Sequence, residues 1–229
     1  MRMLSKHLSL VVLAIILIAS VVVLQGCSSG ADETIEVSYG GSSDAEESDQ
    51  EPAEEPAEES AIPFEEDPLY TPSYEIQGNE IAVINTNRGV IKFEFFGEDA
   101  PNHVAAFIEL AQKGFYDGTK FHRVVREPEP FVIQGGDPLS KTDDPMVGTG
   151  GPGYSLAAEF NDNKHLEGTV SMARSQDPNS AGSQFYICLA PQTFLDGQYT
   201  VFGQVTEGLD IVQAIMQGDV MESVTIETE

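Results

Sequence analysis

Few residues in this chain have the types and spacing that chemistry usually needs. The histidines are His7, His103, His122 and His165, and none sits at a metal-ligand spacing from a cysteine or another histidine. No metal site is therefore expected. No Gly-x-Ser-x-Gly elbow supplies a nucleophile. Gly148-Thr149-Gly150-Gly151-Pro152-Gly153 matches the dinucleotide pattern formally. No strand clearly precedes it and Pro152-Gly153 does not open a helix, so it reads as a tight loop. Cys188 lies in the apolar run Phe185-Tyr186-Ile187-Cys188-Leu189 and reads as a small buried hydrophobe. Two stretches remain. One is Phe121-His122-Arg123-Val124-Val125 followed by Phe131-Val132-Ile133-Gln134-Gly135-Gly136-Asp137-Pro138. The other is Gly168-Thr169-Val170-Ser171-Met172-Ala173-Arg174 followed by residues 177–187, which include Gln184 and Tyr186. Taken alone, Arg123 fits a surface charge as well as a hydrogen-bonding catalyst, and Phe131 and Phe185 fit a core.

The elements that must hold these residues are mostly short strands. Ile81-Ala82-Val83-Ile84 is one, and residues 90–96 form another. In the second, Ile91, Phe93 and Phe95 share one face and Lys92 and Glu94 the other, a period of two. Asn87-Arg88-Gly89 is the turn between them. A helix comes next, with Asp99 as cap, Pro101 in the first turn and Gly114 as stop. Its Val104, Phe107, Ile108 and Ala111 recur at helical spacing and face a core. Further strands are predicted at 121–125, 131–134, 169–173, 185–189 and 201–205, a second helix at 209–216, and a closing strand at 222–228. Many antiparallel strands with two helices predict a closed barrel plugged at its ends.

With Gly114-Phe115-Tyr116-Asp117-Gly118 ahead and Leu195-Asp196-Gly197-Gln198-Tyr199-Thr200-Val201-Phe202-Gly203 behind, these stretches closely resemble the cyclophilin family, in order, across about 78–229. The resemblance implies a mainly β fold, a closed eight-stranded antiparallel barrel capped by two α-helices. It implies a cofactor-independent peptidyl-prolyl cis-trans isomerase that binds proline-containing polypeptides in a groove on the barrel's outer face. By the same resemblance Arg123 is the catalytic donor. Phe131, Val132, Tyr186 and Leu195 line the proline pocket, and Gln134 bonds the substrate backbone. Ala173, Arg174 and Gln184 line the groove, with Arg174 acting mainly through its backbone. His122 neighbours the catalytic arginine, and Phe194 and Tyr199 occupy positions of a family tryptophan and histidine.

The sequence also departs from the family pattern. Val132 replaces a methionine, Tyr186 a phenylalanine, and Phe194 lacks an indole N–H, so cyclosporin-type ligands are expected to bind poorly. Arg126-Glu127-Pro128-Glu129-Pro130 is about three residues longer than the family's link. These departures keep open a second reading, a tethered proline-peptide binding module or chaperone with little isomerase activity.

The remainder of the chain is an address and a spacer. Arg2 and Lys6 precede the apolar residues 8–24, and Leu24-Gln25-Gly26-Cys27 resembles a bacterial lipobox, with Cys27 the lipidated residue. Residues 1–26 are thus expected to be a lipoprotein signal peptide, the alternative being an uncleaved membrane helix. Either places the rest of the chain outside the cytoplasm, and two acyl chains suffice for stable anchoring. Residues 27–74 are expected to be an acidic disordered tether, with Glu51-Pro52-Ala53-Glu54 repeated as Glu55-Pro56-Ala57-Glu58. No Lys or Arg occurs between Lys6 and Arg88, and residues 27–74 carry −15 of the net charge of −27, residues 75–229 a further −14. Such a charge excludes nucleic acid as partner. Residues 75–229 form the expected isomerase domain, a monomer acting on exported unfolded proteins at the cell surface.

Overall fold

The computed structural model describes residues 69–142 and 144–228. The signal peptide, Cys27 and most of the expected tether lie outside the described residues. The chain runs β1 (Glu80–Thr86), β2 (Gly89–Phe95), α1 (Pro101–Gln112), β3 (Arg123–Val125), β4 (Val132–Gly135), β5 (Thr169–Met172), β6 (Phe185–Cys188), β7 (Val201–Glu207), α2 (Leu209–Ala214) and β8 (Met221–Thr228). Each expected strand is present, with ends shifted by at most two residues.

All strand pairs are antiparallel, in the order β3-β4-β6-β5-β7-β2-β1-β8. The sheet curls into a half-barrel around an aromatic core. Phe107 of α1 meets Phe93 of β2 at 5.5 Å, Phe185 of β6 at 5.5 Å and Phe202 of β7 at 5.6 Å between ring centroids. Val104, Phe107, Ile108 and Ala111 are buried, as helical spacing predicts.

Two expectations change. The predicted barrel was closed, whereas the described ladder is open, with β3 and β8 as its ends. The segments just ahead of those strands meet instead, through one isolated bridge, Lys120↔Val220. Four backbone bonds accompany it: Gly118 N–H to Met221 O, Met221 N–H to Thr119 O, Phe121 N–H to Asp219 O and Gly218 N–H to Phe121 O. Beyond that contact β3 and β8 form no ladder with each other.

Asp99 does not cap α1. Ala100 occupies the N-cap position without a side-chain bond. The Glu159 carboxylate takes that role from 57 residues away, accepting from Asn102 N–H and His103 N–H at 3.0 Å each. Any acceptor that reaches the free N–H groups serves, whatever its place in sequence.

Candidate active site

Alternation divides the central strands into two faces. Ile133, Val170, Met172, Phe185 and Ile187 join the main core, while Val132, Tyr186 and Cys188 turn outward and form a second small cluster with Leu195. Register then aligns one outward row across four strands. Arg123 of β3 pairs with Gln134 of β4, Gln134 with Tyr186 of β6, and Tyr186 with Ser171 of β5. Strands lie about 4.8 Å apart, so the row brings residues up to 63 positions apart in sequence within roughly 15 Å.

The side chains of that row are linked. Arg123 Nη1 donates to Gln134 Oε1 at 3.1 Å, and Gln134 Nε2 donates to Gln184 Oε1 at 3.1 Å. The Arg123 guanidinium also sits 5.6 Å from the Phe131 ring centroid. Arg123 itself is exposed, so it presents donors to a ligand without first being unburied.

Beside the guanidinium is a pocket of about 190 Å³. Phe131, Val132, Tyr186 and Leu195 form its apolar wall, with Gln134, Ala173, Arg174 and Tyr199 completing the rim. The structure thus gathers nine of the sequence-selected residues, Arg123 included, around one pocket. Gln184 stands just outside, between Gln134 and a neighbouring depression of about 540 Å³ walled by residues 148–155. Phe194 is 63% exposed and stacks on Phe131 at 5.8 Å. His122 lines neither pocket, and its buried Nδ1 has no hydrogen-bond partner. Burial holds the His122 imidazole below its ordinary pKa.

The Arg174 side chain is engaged within the protein. Its guanidinium lies 4.6 Å from the Tyr199 centroid and donates to Gln198 O at 2.9 Å. That contact fixes Tyr199 against Tyr186, edge on, with centroids 5.8 Å apart.

Sequence reasoning missed the support beneath the pocket. The Tyr186 hydroxyl lies 3.0 Å from His165 Nε2, and His165 Nδ1 lies 3.1 Å from Asp196 Oδ1. An ionised carboxylate only accepts, so Nδ1 carries the proton and Nε2 accepts. Ser171 directs its hydroxyl hydrogen to Thr200 O at 2.9 Å. Tyr186 therefore donates to His165. Burial favours this neutral imidazole, lowering its pKa against the opposing pull of Asp196, and burial likewise pushes the Tyr186 phenol up. His165 and Asp196 are 31 residues apart, and no spacing rule flags such a pair. Cys188 is fully buried behind the pocket, and burial pushes its thiol up to about 12, so it is inert packing.

The glycine loop also gains a role. Asp137 is fully buried, accepting from Leu139 N–H at 2.8 Å and from Gly148 and Gly150 N–H at 2.5 and 3.1 Å. The loop carbonyls of Gly148 and Gly150 in turn accept from Gln184 Nε2 at 3.0 and 2.8 Å. A Cβ on Gly150 would collide with Asp137 Oδ1, so this close approach requires glycine. The loop is a wall holding Gln184, not a phosphate cradle.

A curled antiparallel sheet with an exposed arginine beside an apolar outer-face pocket is suited to holding an apolar residue next to a fixed hydrogen-bond donor. Comparison with known proteins agrees. The family profile described as "Cyclophilin type peptidyl-prolyl cis-trans isomerase/CLD" matches residues 81–228. A peptidyl-prolyl cis-trans isomerase of Synechococcus elongatus is 48% identical over 150 residues, covering 65% of this chain and 97% of that protein. One from Helicobacter pylori is 44% identical over 167 residues, covering 69% of this chain and 95% of that protein. Among solved structures, a Cryptosporidium parvum cyclophilin-type isomerase superposes with TM-score 0.59 at 28% identity, covering 66% of this chain and 99% of its own. The same protein crystallised in the presence of the dipeptide Ala-Pro gives 0.58. The chain belongs to the cyclophilin-type peptidyl-prolyl cis-trans isomerases, and its enzymatic class is isomerase.

Proposed function

We propose that this isomerase acts on X-Pro bonds of exported, incompletely folded proteins, held at the outer face of a bacterial membrane through a lipid on Cys27. The observation that supports the site most directly is the Arg123 guanidinium placed against both Gln134 and the Phe131 ring, on the lip of the small apolar pocket. The pocket is suited to a proline ring, the residue in the dipeptide present with the Cryptosporidium protein.

The chemistry asks for little. Amide resonance opposes rotation with a barrier of about 18–20 kcal/mol, while the two X-Pro isomers are nearly balanced. A donor directed at the prolyl nitrogen favours its pyramidal form and weakens that resonance. The planar guanidinium fork of Arg123 serves nitrogen and carbonyl together. Phe131, Val132, Tyr186 and Leu195 hold the ring while the preceding carbonyl turns. Gln134 and Gln184, already linked to each other and to the glycine loop, offer fixed partners to the substrate backbone. Lowering the barrier by ~7 kcal/mol gives roughly five orders of magnitude in rate. Preorganised donors and a fixed orientation are effects of that size.

The extracytoplasmic setting is supported by Arg2 and Lys6, the apolar residues 8–24 and Gly26-Cys27, and the acidic residues between anchor and domain favour an extended spacer. Proline-peptide isomerisation by the full chain tests the site. Arg123→Ala should lower kcat/KM by about a hundredfold or more while the fold, followed by circular dichroism, is retained. A loss below about threefold would remove Arg123 from the mechanism. Globomycin-sensitive processing that disappears in Cys27→Ala tests the anchor. Processing indifferent to both would overturn it.

A further inference from the structure

The departure at residues 126–130 builds a surface separate from the proline pocket and the glycine loop. On the far side of Phe131 lies a groove of about 540 Å³, walled by Pro128, Pro130, Pro191 and the rings of Phe131 and Phe194. Phe131 belongs to this groove and to the small pocket alike, whereas the depression beside Gln184 shares Gln134, Ala173 and Arg174 with that pocket and shares nothing with this groove. The three hollows therefore run in sequence, with the proline pocket in the middle. A peptide seated by its proline in the middle hollow would have one flanking hollow open to it on each side.

The inserted segment is fastened in place. Arg126 Nη2 donates to Ile215 O at 2.8 Å, Gln192 Nε2 donates to Pro130 O at 2.9 Å, and Phe131 N–H donates to Val125 O at 3.0 Å. Pinned at both ends, it holds Glu127 and Glu129 in the groove lining, both exposed. Neither carboxylate takes part in an ion pair among the described residues, so both remain available to a ligand.

We infer that this groove is a second substrate subsite, selecting polypeptides with a lysine or arginine one or two residues outside the X-Pro pair on one side. The inference rests on the prolyl-isomerase reading of the central pocket. The aliphatic stem of such a residue lies along Pro128, Pro130 and Phe194, and its cationic head meets Glu127 and Glu129. The exposed ring of Phe194 adds cation–π attraction. Exposed charge pairs of this kind change affinity by roughly two- to fivefold and weaken with salt.

The test uses the full chain and a set of proline peptides bearing Lys, Ala or Glu at each of the two positions before and after the X-Pro pair, with kcat/KM measured at low salt and at about 0.5 M salt. On one flank only, Lys should exceed Ala by roughly two- to fivefold and Glu should fall below Ala. The Lys/Ala ratio should collapse towards one in Glu127→Gln/Glu129→Gln and at high salt. A ratio near one for wild type on both flanks, or a ratio unchanged in the double variant, overturns the inference. The second outcome would assign the preference to the acidic N-terminal region instead. No isomerisation of the Ala peptide by wild type would instead defeat the underlying catalytic reading, which the Ala series reports separately.

Discussion

Asp219→Asn should destabilise the folded chain by roughly 2 kcal/mol at neutral pH and by only about half of that at pH 3. Asp219 sits at the seam where the two ends of the sheet meet, 7% exposed, its carbonyl bonded to Phe121 N–H. Burial alone would push its carboxyl up. Bonds from Arg88 Nε, from Asn87 Nδ2 at 3.0 Å and from Met216 N–H at 2.6 Å more than offset this, and its pKa falls from the ordinary 3.8 to about 2. A depressed carboxyl contributes stability that is fully present above the unfolded value and lost as pH falls through the folded one. The difference between 3.8 and about 2 corresponds to roughly 2 kcal/mol at pH 7. At pH 3 the unfolded carboxyl is mostly protonated and the folded one mostly ionised, leaving about half. For a domain of this size the neutral-pH loss lowers Tm by about 4–8 °C. Urea unfolding of wild type and variant at pH 7 and pH 3 measures both gaps, and the acidic N-terminal region cancels in the comparison. Equal gaps at the two pH values, or a gap below ~0.5 kcal/mol at pH 7, would refute the charge-based account of the seam.

Tyr186→Phe removes the hydroxyl that donates to the neutral His165 ring, so the His165 pKa should rise towards its ordinary value and stability should fall by roughly 1 kcal/mol; imidazole NMR shifts against pH read the first, and an unmoved titration would contradict the donor assignment. Gly150→Ala drives a Cβ into Asp137 and displaces the carbonyl that holds Gln184, so KM for proline peptides should rise and stability fall by about 1–3 kcal/mol. Unchanged KM and an unchanged melt in that variant would mean that the glycine loop does not position Gln184.

Strands and helices were legible in this sequence because burial imposes its own period. β2 shows it plainly, with Ile91 and Phe93 inside and Lys92 and Glu94 towards solvent. The pocket residues were legible only through the family resemblance, because their meeting depends on register between β3, β4, β6 and β5, and no local pattern encodes register. Long-range polar partners were illegible altogether. Glu159 replaces Asp99 at the start of α1 from 57 residues away, and His165 reaches both Asp196 and Tyr186 through bonds that any nearby donor and acceptor could make. The closed barrel was the natural expectation from strand count, but strand count does not say where the two end strands meet, and here residues 118–121 and 218–221 meet just ahead of β3 and β8.

One side chain gathers most of the bonds that fasten the start of the described chain. Glu109 of α1 accepts from the Tyr70 hydroxyl at 2.7 Å, from Ser73 N–H at 2.7 Å, from Ser73 Oγ at 2.9 Å and from Tyr74 N–H at 3.0 Å. Tyr70 also stacks on Tyr154 at 4.1 Å, and its N–H bonds Ser155 O at 2.7 Å. A mechanical load arriving along the chain from the N-terminal side meets this clasp before it meets β1. Four of its bonds share the Glu109 carboxylate, so they stand between such a load and the sheet carrying the row from Arg123 to Ser171. Protonating Glu109, whose several donors hold it ionised against the cost of burial, would be the chemical way to open the clasp.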